Sequence, residues 1–285
     1  MPEALGAIHR PYSVALTIGN ELLSGYTQDT NTHWLAQRLS ALGYPLRRVH
    51  LVGDDEPEIV RWLRLELEDD PIFIFCCGGL GPTPDDRTLK AVATALDLTL
   101  ELDRSAADHI QLGLDWLHSI GRIESPEMTE ANRRMAEIPA GATVLNNSMG
   151  MAPGLMIEVG RGAAPVDITA VETGEPRRIF VLPGIPRELK TIFDEEIAPQ
   201  YLAGGSIHAT EEVHFTGAVE AQFWELLNKI EREFPGVVVG SYPQPDRGHL
   251  VIRLSGPDPE LVHLAVAMVR AEAPGLARER RPTPG

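Results

Sequence analysis

The sequence predicts an α/β protein with a mostly parallel sheet covered by helices on both faces, followed by a second, small α+β domain. Short apolar runs alternate with segments of helical periodicity as far as Tyr201, and the connections between them are short. The composition then changes at Ala203–Ser206 (AGGS), and a different pattern of strands and helices follows. We therefore expect domains at 1–203 and 207–275 and a disordered tail at 276–285.

In the first domain, apolar runs predict the strands and apolar residues three or four positions apart predict the helices. The predicted strands are Ser13–Ile18, Leu46–Val52, Ile72–Cys77, Thr143–Leu145, Gly154–Val159 and Ile179–Leu182. The predicted helices are Asn31–Leu42, Glu56–Leu67, Asp86–Leu96, Ser105–Ile120, Thr129–Ala136 and Pro186–Tyr201. Gly43 is a typical stop for the first helix, and Pro186 suits the first turn of the last one. The stretch Arg161–Pro176 is rich in Gly, Ala and Pro, which predicts a hairpin tip or a loop.

The second domain shows the same two kinds of pattern in a shorter space. Its predicted strands are Glu211–Thr216, Val237–Tyr242 and His249–Ser255, and its predicted helices are Glu220–Phe234 and Pro259–Ala271. The final residues, Arg278–Gly285 (RERRPTPG), carry no apolar periodicity. This is why we expect the tail to be disordered.

Charge and cysteine content limit the classes of function. The chain has 285 residues with 25 Lys and Arg against 41 Asp and Glu, a net charge of −16. Nucleic-acid and anionic-membrane binding depend on cationic surfaces, so neither is expected. The only two cysteines, Cys76 and Cys77, are adjacent, so no disulfide framework is expected. Without a signal-peptide pattern at the start or an apolar run of about 18 residues, the sequence predicts a cytoplasmic protein.

The strongest functional signal is the segment Gly78–Thr88 (GGLGPTPDDRT), which lies between an apolar strand and a helix. Ligands of open α/β sheets bind at the carboxyl ends of the strands. The three glycines allow backbone N–H groups to approach an anion, and the following helix adds positive potential. Asp85 and Asp86 would repel a bare phosphate, but a hard divalent cation can bridge carboxylates to phosphates. The loop therefore predicts a site for a metal and a phosphate; the alternative is that both carboxylates only cap the helix.

Other segments are candidates for the same crevice. Glu21 lies in the turn after the first strand, and Gly184 lies in the strand-to-helix turn LPGIPRE (182–188). Asn132 precedes two arginines, whose guanidinium groups suit a pyrophosphate, and Asn147 opens a glycine-containing turn. Each of these segments has a purely structural alternative, either a tight turn or a solvated surface.

Several kinds of site are not supported. The nine histidines show no paired spacing of the kind that binds zinc. Cys76 and Cys77 lie in an apolar strand, which is typical of inert core residues. The sequence contains no G-x-S-x-G motif, and the glycine loop matches neither a P-loop nor a dinucleotide fingerprint.

Taken together, these motifs resemble the molybdopterin-binding superfamily, and more closely the N-terminal domain of the CinA-type competence/damage-inducible proteins. The matching stretches are IGNELLSG (18–25), Asn31 at the start of the first helix, VGD (52–54), GGLGPTPDDRT (78–88), NRRMAEIPAGATVLNN (132–147), GMAPG (150–154) and LPGIPREL (182–189). The segment 211–271, with GAVEAQFWELLNKI and VGSYP, is similar to the small KH-like domain that follows in that family.

The resemblance implies a three-layer α/β/α fold and a nucleotide-type ligand. Members of this family, and the similar domain of eukaryotic FAD synthase, act as divalent-metal-dependent pyrophosphatases. Substrates of the ADP-ribose or FAD type are therefore implied, together with Mg²⁺, Mn²⁺ or Co²⁺ as the cofactor. The residues that the resemblance places at the site are Gly78, Gly79, Gly81, Thr83, Asp85 and Asp86, with Glu21, Asn31, Asn132 and Gly184 nearby.

The sequence departs from the family pattern at four places. An amidohydrolase domain usually follows in bacterial members and is not expected here, because the chain ends soon after residue 271. Where family members often have an Asn-Asn pair, this sequence has Ala131-Asn132. The loop at 161–176 is longer than is typical of the family. The KH-like segment lacks a G-x-x-G loop, since one residue too many separates Gly236 from Gly240. This last departure is a second argument against RNA binding.

The leading hypothesis is a metal-dependent pyrophosphatase in which Asp85 and Asp86 hold the cation and Glu21 is the candidate general base. The alternatives are a non-catalytic module that binds a molybdopterin-like or nucleotide ligand, and a regulatory or scaffolding protein. The expected partner is a small-molecule nucleotide. By resemblance, a homo-oligomer is also expected, with a dimer favoured.

Overall fold

The computed structural model describes residues 11–69, 71–160, 176–205, 207–244, 248–273 and 278–279. The chain divides into two compact units, Met1–Gly205 and Ser206–Gly285. The division falls within the AGGS segment, where the composition changes. None of the helices in these ranges has the length and the apolar composition needed to cross a bilayer.

The first unit alternates strands and helices along most of its length. Its strands are β1 (Ser13–Ile18), β2 (Leu46–Val52), β3 (Phe73–Cys77), β4 (Leu100–Leu102), β5 (Glu137–Pro139), β6 (Thr143–Leu145), β7 (Gly154–Val159) and β8 (Arg177–Leu182). Its helices are α1 (Asn20–Leu23), α2 (Asn31–Ala41), α3 (Glu56–Glu68), α4 (Thr88–Ala95), α5 (Arg104–Ser119), α6 (Glu130–Met135), α7 (Pro186–Ile192) and α8 (Ala198–Tyr201). The loop predicted at Arg161–Pro176 lies, apart from Pro176, outside the described residues.

Six of these strands form one sheet in the order β2-β1-β3-β8-β7-β6. The first four run parallel, β7 runs antiparallel to β8, and β6 runs antiparallel to β7. The predicted α/β class with a mostly parallel sheet is therefore confirmed. A separate pair, β4 and β5, is antiparallel and was not predicted, because each strand has three residues and too little pattern.

The sheet is covered on both faces, because successive side chains of a strand point to opposite sides. In β3, Ile74 and Cys76 pack into one apolar core with α3, α4 and α5, whereas Phe73, Phe75 and Cys77 pack into another with α2 and α7. The result is a three-layer α/β/α arrangement, as expected. Both cysteines are fully buried, and burial raises the pKa of the Cys76 thiol to about 12, so they are core residues and not nucleophiles.

The helix ends follow local chemistry in the sequence. Asp55 and Asp103 accept backbone N–H groups in the first turns of α3 and α5, as N-cap carboxylates do. The long helix predicted at Pro186–Tyr201 is continuous but contains a π-helical turn at Phe193–Ile197 between α7 and α8. Pro199 lies just after that turn and has no backbone N–H, so the regular hydrogen bond to the carbonyl four residues earlier cannot form. The helix accommodates the missing hydrogen bond with the wider π-helical turn.

The second unit is a four-stranded antiparallel sheet with two helices. It contains β9 (Ala209–Thr216), a 3-10 turn (Glu220–Phe223), α9 (Trp224–Glu233), β10 (Val238–Gln244), β11 (His249–Gly256), α10 (Pro259–Glu272) and β12 (Arg278–Glu279), with strand order β10-β11-β9-β12. Arg278–Glu279 pair with β9, which differs from the disordered tail expected at 276–285. The edge of β9 offers unpaired backbone groups, and the tail sequence alone does not reveal them.

Candidate functional site

The carboxyl ends of the parallel strands meet at one edge of the sheet. The turns after Ile18, Cys77 and Leu182 lie there, together with the segment 146–153 that leads into β7. These loops and the helix α5 surround a cleft of about 1330 Å³. The cleft lies where ligands of open α/β sheets bind.

The glycine loop packs closely against its neighbours. A Cβ atom on Gly78, whose φ is +109°, would lie 2.2 Å from the carbonyl oxygen of Ile18. A Cβ atom on Gly79, whose φ is +65°, would lie 2.4 Å from the Thr88 hydroxyl oxygen. The buried Thr88 hydroxyl donates to the Gly78 carbonyl at 2.7 Å. Packing alone thus requires these two glycines, and Gly79 and Gly81 also line the cleft.

The two predicted metal ligands differ in their surroundings. Asp86 lines the cleft, and its Oδ2 accepts the backbone N–H of Thr83 at 2.8 Å and the Thr83 hydroxyl at 2.6 Å. Asp85 and Thr83 are exposed and do not line the cleft. The Thr83 side chain and the Asp85 backbone N–H lower the pKa of Asp85, so this carboxylate is ionised at neutral pH. The carboxylate of Asp86 stabilises the turn and also faces the cleft.

Three more of the predicted residues lie at the same edge. Glu21 is exposed, lines the cleft and folds its carboxylate over Gly19. The buried Asn31 amide donates to the carbonyl of Gly184 at 2.8 Å, which ties the start of α2 to the turn before α7. Gly184 lines the cleft, whereas Asn31 is not part of the lining and contacts it through this hydrogen bond to Gly184.

Asn132 is not brought to the cleft. Its Oδ1 accepts the backbone N–H and the hydroxyl of Thr129, and this reciprocal arrangement caps α6. Asn132 precedes Arg133 and Arg134, a pattern that fits both a pyrophosphate site and a helix turn. In the structure its side chain is used for the cap.

A buried carboxylate that the sequence reasoning did not single out also lines the cleft. Glu188, in the first turn of α7, is 8% exposed, and its Oε2 accepts the Asn147 amide at 2.8 Å. Burial raises the pKa of Glu188, and this effect outweighs the opposing effects of the Asn147 hydrogen bond and the charge of His109. In the sequence, the one feature that could have indicated Glu188 as a site residue was its position just after the rigid turn LPGIP.

One wall of the cleft is apolar. It is formed by α5, where Leu112 and Trp116 are one helical turn apart and 68% and 60% exposed. Gly113 allows the methionine Met151 to approach, because a Cβ atom there would lie 2.3 Å from its Cγ. The periodicity predicted α5 but not which of its faces would be left uncovered.

The cleft carboxylates do not form a protein-only metal cage. Within the described residues, no three His, Cys, Asp or Glu side chains are grouped as a metal site. Mg²⁺ needs no such cage, because it is usually held by one or two carboxylates together with waters and substrate phosphates. Asp86 beside the glycine loop fits a metal bound in that way.

Comparison with known proteins agrees with this geometry. A family model described as "Probable molybdopterin binding domain" matches residues 14–203. The chain belongs to this family. The match covers the six-stranded sheet and every loop of the cleft.

Relatives of this molybdopterin-binding-domain chain occur in archaea. A Pyrococcus abyssi protein is 34% identical over 256 residues, which cover 90% of this chain and 94% of the relative. A Thermococcus kodakarensis protein is 39% identical over 189 residues, which cover 66% of this chain and 69% of the relative. The crystal structure of CinA from Thermoplasma acidophilum, whose function is described as unknown, is similar with a TM-score of 0.53 and 28% identity, covering 65% of this chain and 98% of that one. The expected likeness to CinA is therefore confirmed for the first unit, while the KH-like nature of the second unit stays a prediction.

Proposed function

We propose that the protein is a divalent-metal-dependent pyrophosphatase that hydrolyses the diphosphate linkage of a nucleotide such as ADP-ribose or FAD. One observation carries the proposal: Asp86 and the Gly79–Gly81 backbone share one cleft with an exposed aromatic wall. A dinucleotide needs both features, an environment for the diphosphate and a surface on which a planar ring can stack.

Each part of the cleft has a role in this proposal. The backbone of the Gly79–Gly81 segment binds phosphate oxygens, and Asp86 holds the cation. Asp85, the second ligand expected from the sequence, is exposed outside the cleft lining and is left out of this role. Trp116 and Leu112 bind the planar ring. The divalent ion neutralises phosphate charge and lowers the pKa of bound water when it is present.

A second candidate function is a non-catalytic module for a molybdopterin-like or nucleotide ligand. The hydrogen bonds from Thr83 to Asp86 favour it, because they already occupy one of the oxygens that would bind a cation. In both proposals the partner is a small-molecule nucleotide or pterin and not a nucleic acid. The homodimer stays a prediction that light scattering can test.

The test is turnover of ADP-ribose and FAD by the full chain with Mg²⁺, Mn²⁺ or Co²⁺ and an EDTA control. We expect metal-dependent release of AMP and at least about a tenfold loss of kcat/KM in Asp86→Asn, since one ligand charge is removed. Asp108→Asn is the matched control, because its side chain is 71% exposed on α5. Saturable binding of a nucleotide or pterin without turnover under any metal would favour the binding module instead.

A further inference from the structure

Glu188 is a buried carboxylate of the cleft, and its surroundings differ from those of Glu66, the other glutamate that is buried in the described part of the chain. Glu66 lies in an ion pair with Arg48 and contacts His50. Glu188 has no Arg or Lys within ion-pair distance among the residues that the structure describes, and its one hydrogen bond comes from the neutral amide of Asn147. Burying a carboxylate without a cation is costly, so its presence calls for a functional reason.

The surroundings hold this carboxylate in one orientation. The Asn147 Nδ2 donates to Glu188 Oε2 at 2.8 Å and to the Ala152 carbonyl at 2.7 Å, while its Oδ1 accepts the Met149 N–H at 3.1 Å. The amide is therefore fixed by three partners. In the described residues no hydrogen bond reaches the second oxygen, Oε1.

A glycine makes the space for it. A Cβ atom at Gly150 would lie 2.2 Å from the Glu188 Cδ and 2.3 Å from Oε1, so any other residue would displace the carboxylate. The carbonyl of Gly150 also contacts His109 Nε2 at 3.1 Å. The segment 146–153 thus builds a seat for the Glu188 side chain at the wall of the cleft.

We propose that Glu188 is the general base that takes the proton from the hydrolytic water, an inference that rests on the proposed pyrophosphatase function. The water oxygen forms a bond to one phosphorus of the diphosphate, and its proton passes to Glu188 Oε1. The bond from that phosphorus to the bridging oxygen breaks, and the bridging oxygen leaves with the electron pair on the second phosphate. With ADP-ribose, the products are AMP and ribose 5-phosphate.

Glu188 suits this role better than Glu21, the candidate from the sequence. Glu21 is exposed, and no described residue donates a hydrogen bond to its carboxylate. Glu188 is held in place, and its burial raises its pKa toward the range in which a base is effective at neutral pH. The other charged or titratable groups that line the cleft are Glu21, Asp86, His109 and Arg187, and of these His109 acts on the pKa of Glu188 by its charge.

The experiment measures kcat and KM for ADP-ribose against pH in the wild type, Glu188→Gln and Glu196→Gln. Glu196 is the matched control, because it lies on the same helical segment, does not line the cleft and accepts the amide of Gln200 on the next helical turn. We expect Glu188→Gln to lower kcat about 100-fold with KM within about twofold, and to remove the acidic limb of the kcat profile. The control is expected to stay within about twofold of the wild type.

Gly150→Ala is a second test that leaves the carboxylate present but displaces it. We expect a loss of kcat of similar size to that of Glu188→Gln, with an unchanged circular dichroism spectrum. A raised KM with unchanged kcat and an intact acidic limb in Glu188→Gln would overturn the inference and indicate that Glu188 accepts a substrate hydroxyl. If the wild type turns over ADP-ribose and Glu188→Gln is equally active, only the role of Glu188 as the base is refuted. If the wild type shows no turnover with any metal, the proposed function and this inference are refuted together.

Discussion

Replacing Gly78 with alanine tests how tightly the glycine loop is packed against the sheet. An alanine at a positive φ costs about 1 kcal/mol or more. Its Cβ atom would also lie 2.2 Å from the backbone carbonyl oxygen of Ile18, the last residue of β1. Because Gly78 directly follows β3, the ends of β1 and β3 must then move apart. Overpacking of this kind costs about 1–3 kcal/mol, so we expect a total loss of about 3 kcal/mol in the free energy of unfolding.

Gly184 offers a matched control at the facing turn. A Cβ atom there would lie 3.4 Å from the Gly78 Cα, which is an ordinary contact. In thermal unfolding monitored by circular dichroism, we expect Gly78→Ala to lower the Tm by about 6–12 °C and Gly184→Ala to lower it by about 2 °C or less. Equal Tm values for Gly78→Ala and the wild type, or equal losses in both variants, would refute the packing argument.

Two further predictions concern the apolar wall and the edge of the sheet. Trp116→Ala should raise the KM for ADP-ribose about tenfold without lowering the Tm, because base stacking on an exposed indole is lost. The control is Trp224→Ala, which removes an indole that is 69% exposed in the second unit and should leave KM unchanged. Glu66→Gln should lower the free energy of unfolding at pH 7 by about 2 kcal/mol, measured by urea denaturation. Burial raises the pKa of Glu66, but hydrogen bonds from Arg48 and His50 outweigh it and hold the pKa below its ordinary 4.5. The stabilisation by the ionised Glu66 is present above pH 4.5 and is lost as the pH falls through the folded-state pKa. The difference in the free energy of unfolding between wild type and Glu66→Gln should therefore shrink on acidification. A difference that stays constant with pH would contradict a stabilising role of the ionised carboxylate.

Several features of the fold were predicted correctly because their causes are local. The apolar run Ser13–Ile18 and the alternation after it predict the buried parallel strands, and the observed β1 has the same bounds. The helix predicted at Glu56–Leu67 is observed as α3, Glu56–Glu68, and the Asp55 side chain caps its start. The small pair β4 and β5 escaped prediction, because three residues are too few to show a period.

The sequence located part of the lining of the cleft. The Gly78–Thr88 loop was located from its strand-to-helix position, and the structure places Gly79, Gly81 and Asp86 at the cleft with Glu21 and Gly184. Asp85 and Thr83 face solvent instead. Asn132 is used in the cap of α6, an outcome that its neighbours in sequence permitted but did not require.

The sequence by itself determined the order of the longer elements, the mostly parallel sheet and the loop that faces the cleft, because periodicity, glycine and proline act over a few residues. The tertiary structure alone decided which side chains meet across that cleft. Asn147 and Glu188 are 41 positions apart and become partners only through the packing of α7 beside the segment that leads into β7. Gly150 gives that carboxylate its space, and the exposure of Trp116 depends on which face of α5 the core leaves uncovered. Such contacts depend on the packing of distant segments, and no short-range pattern encodes them.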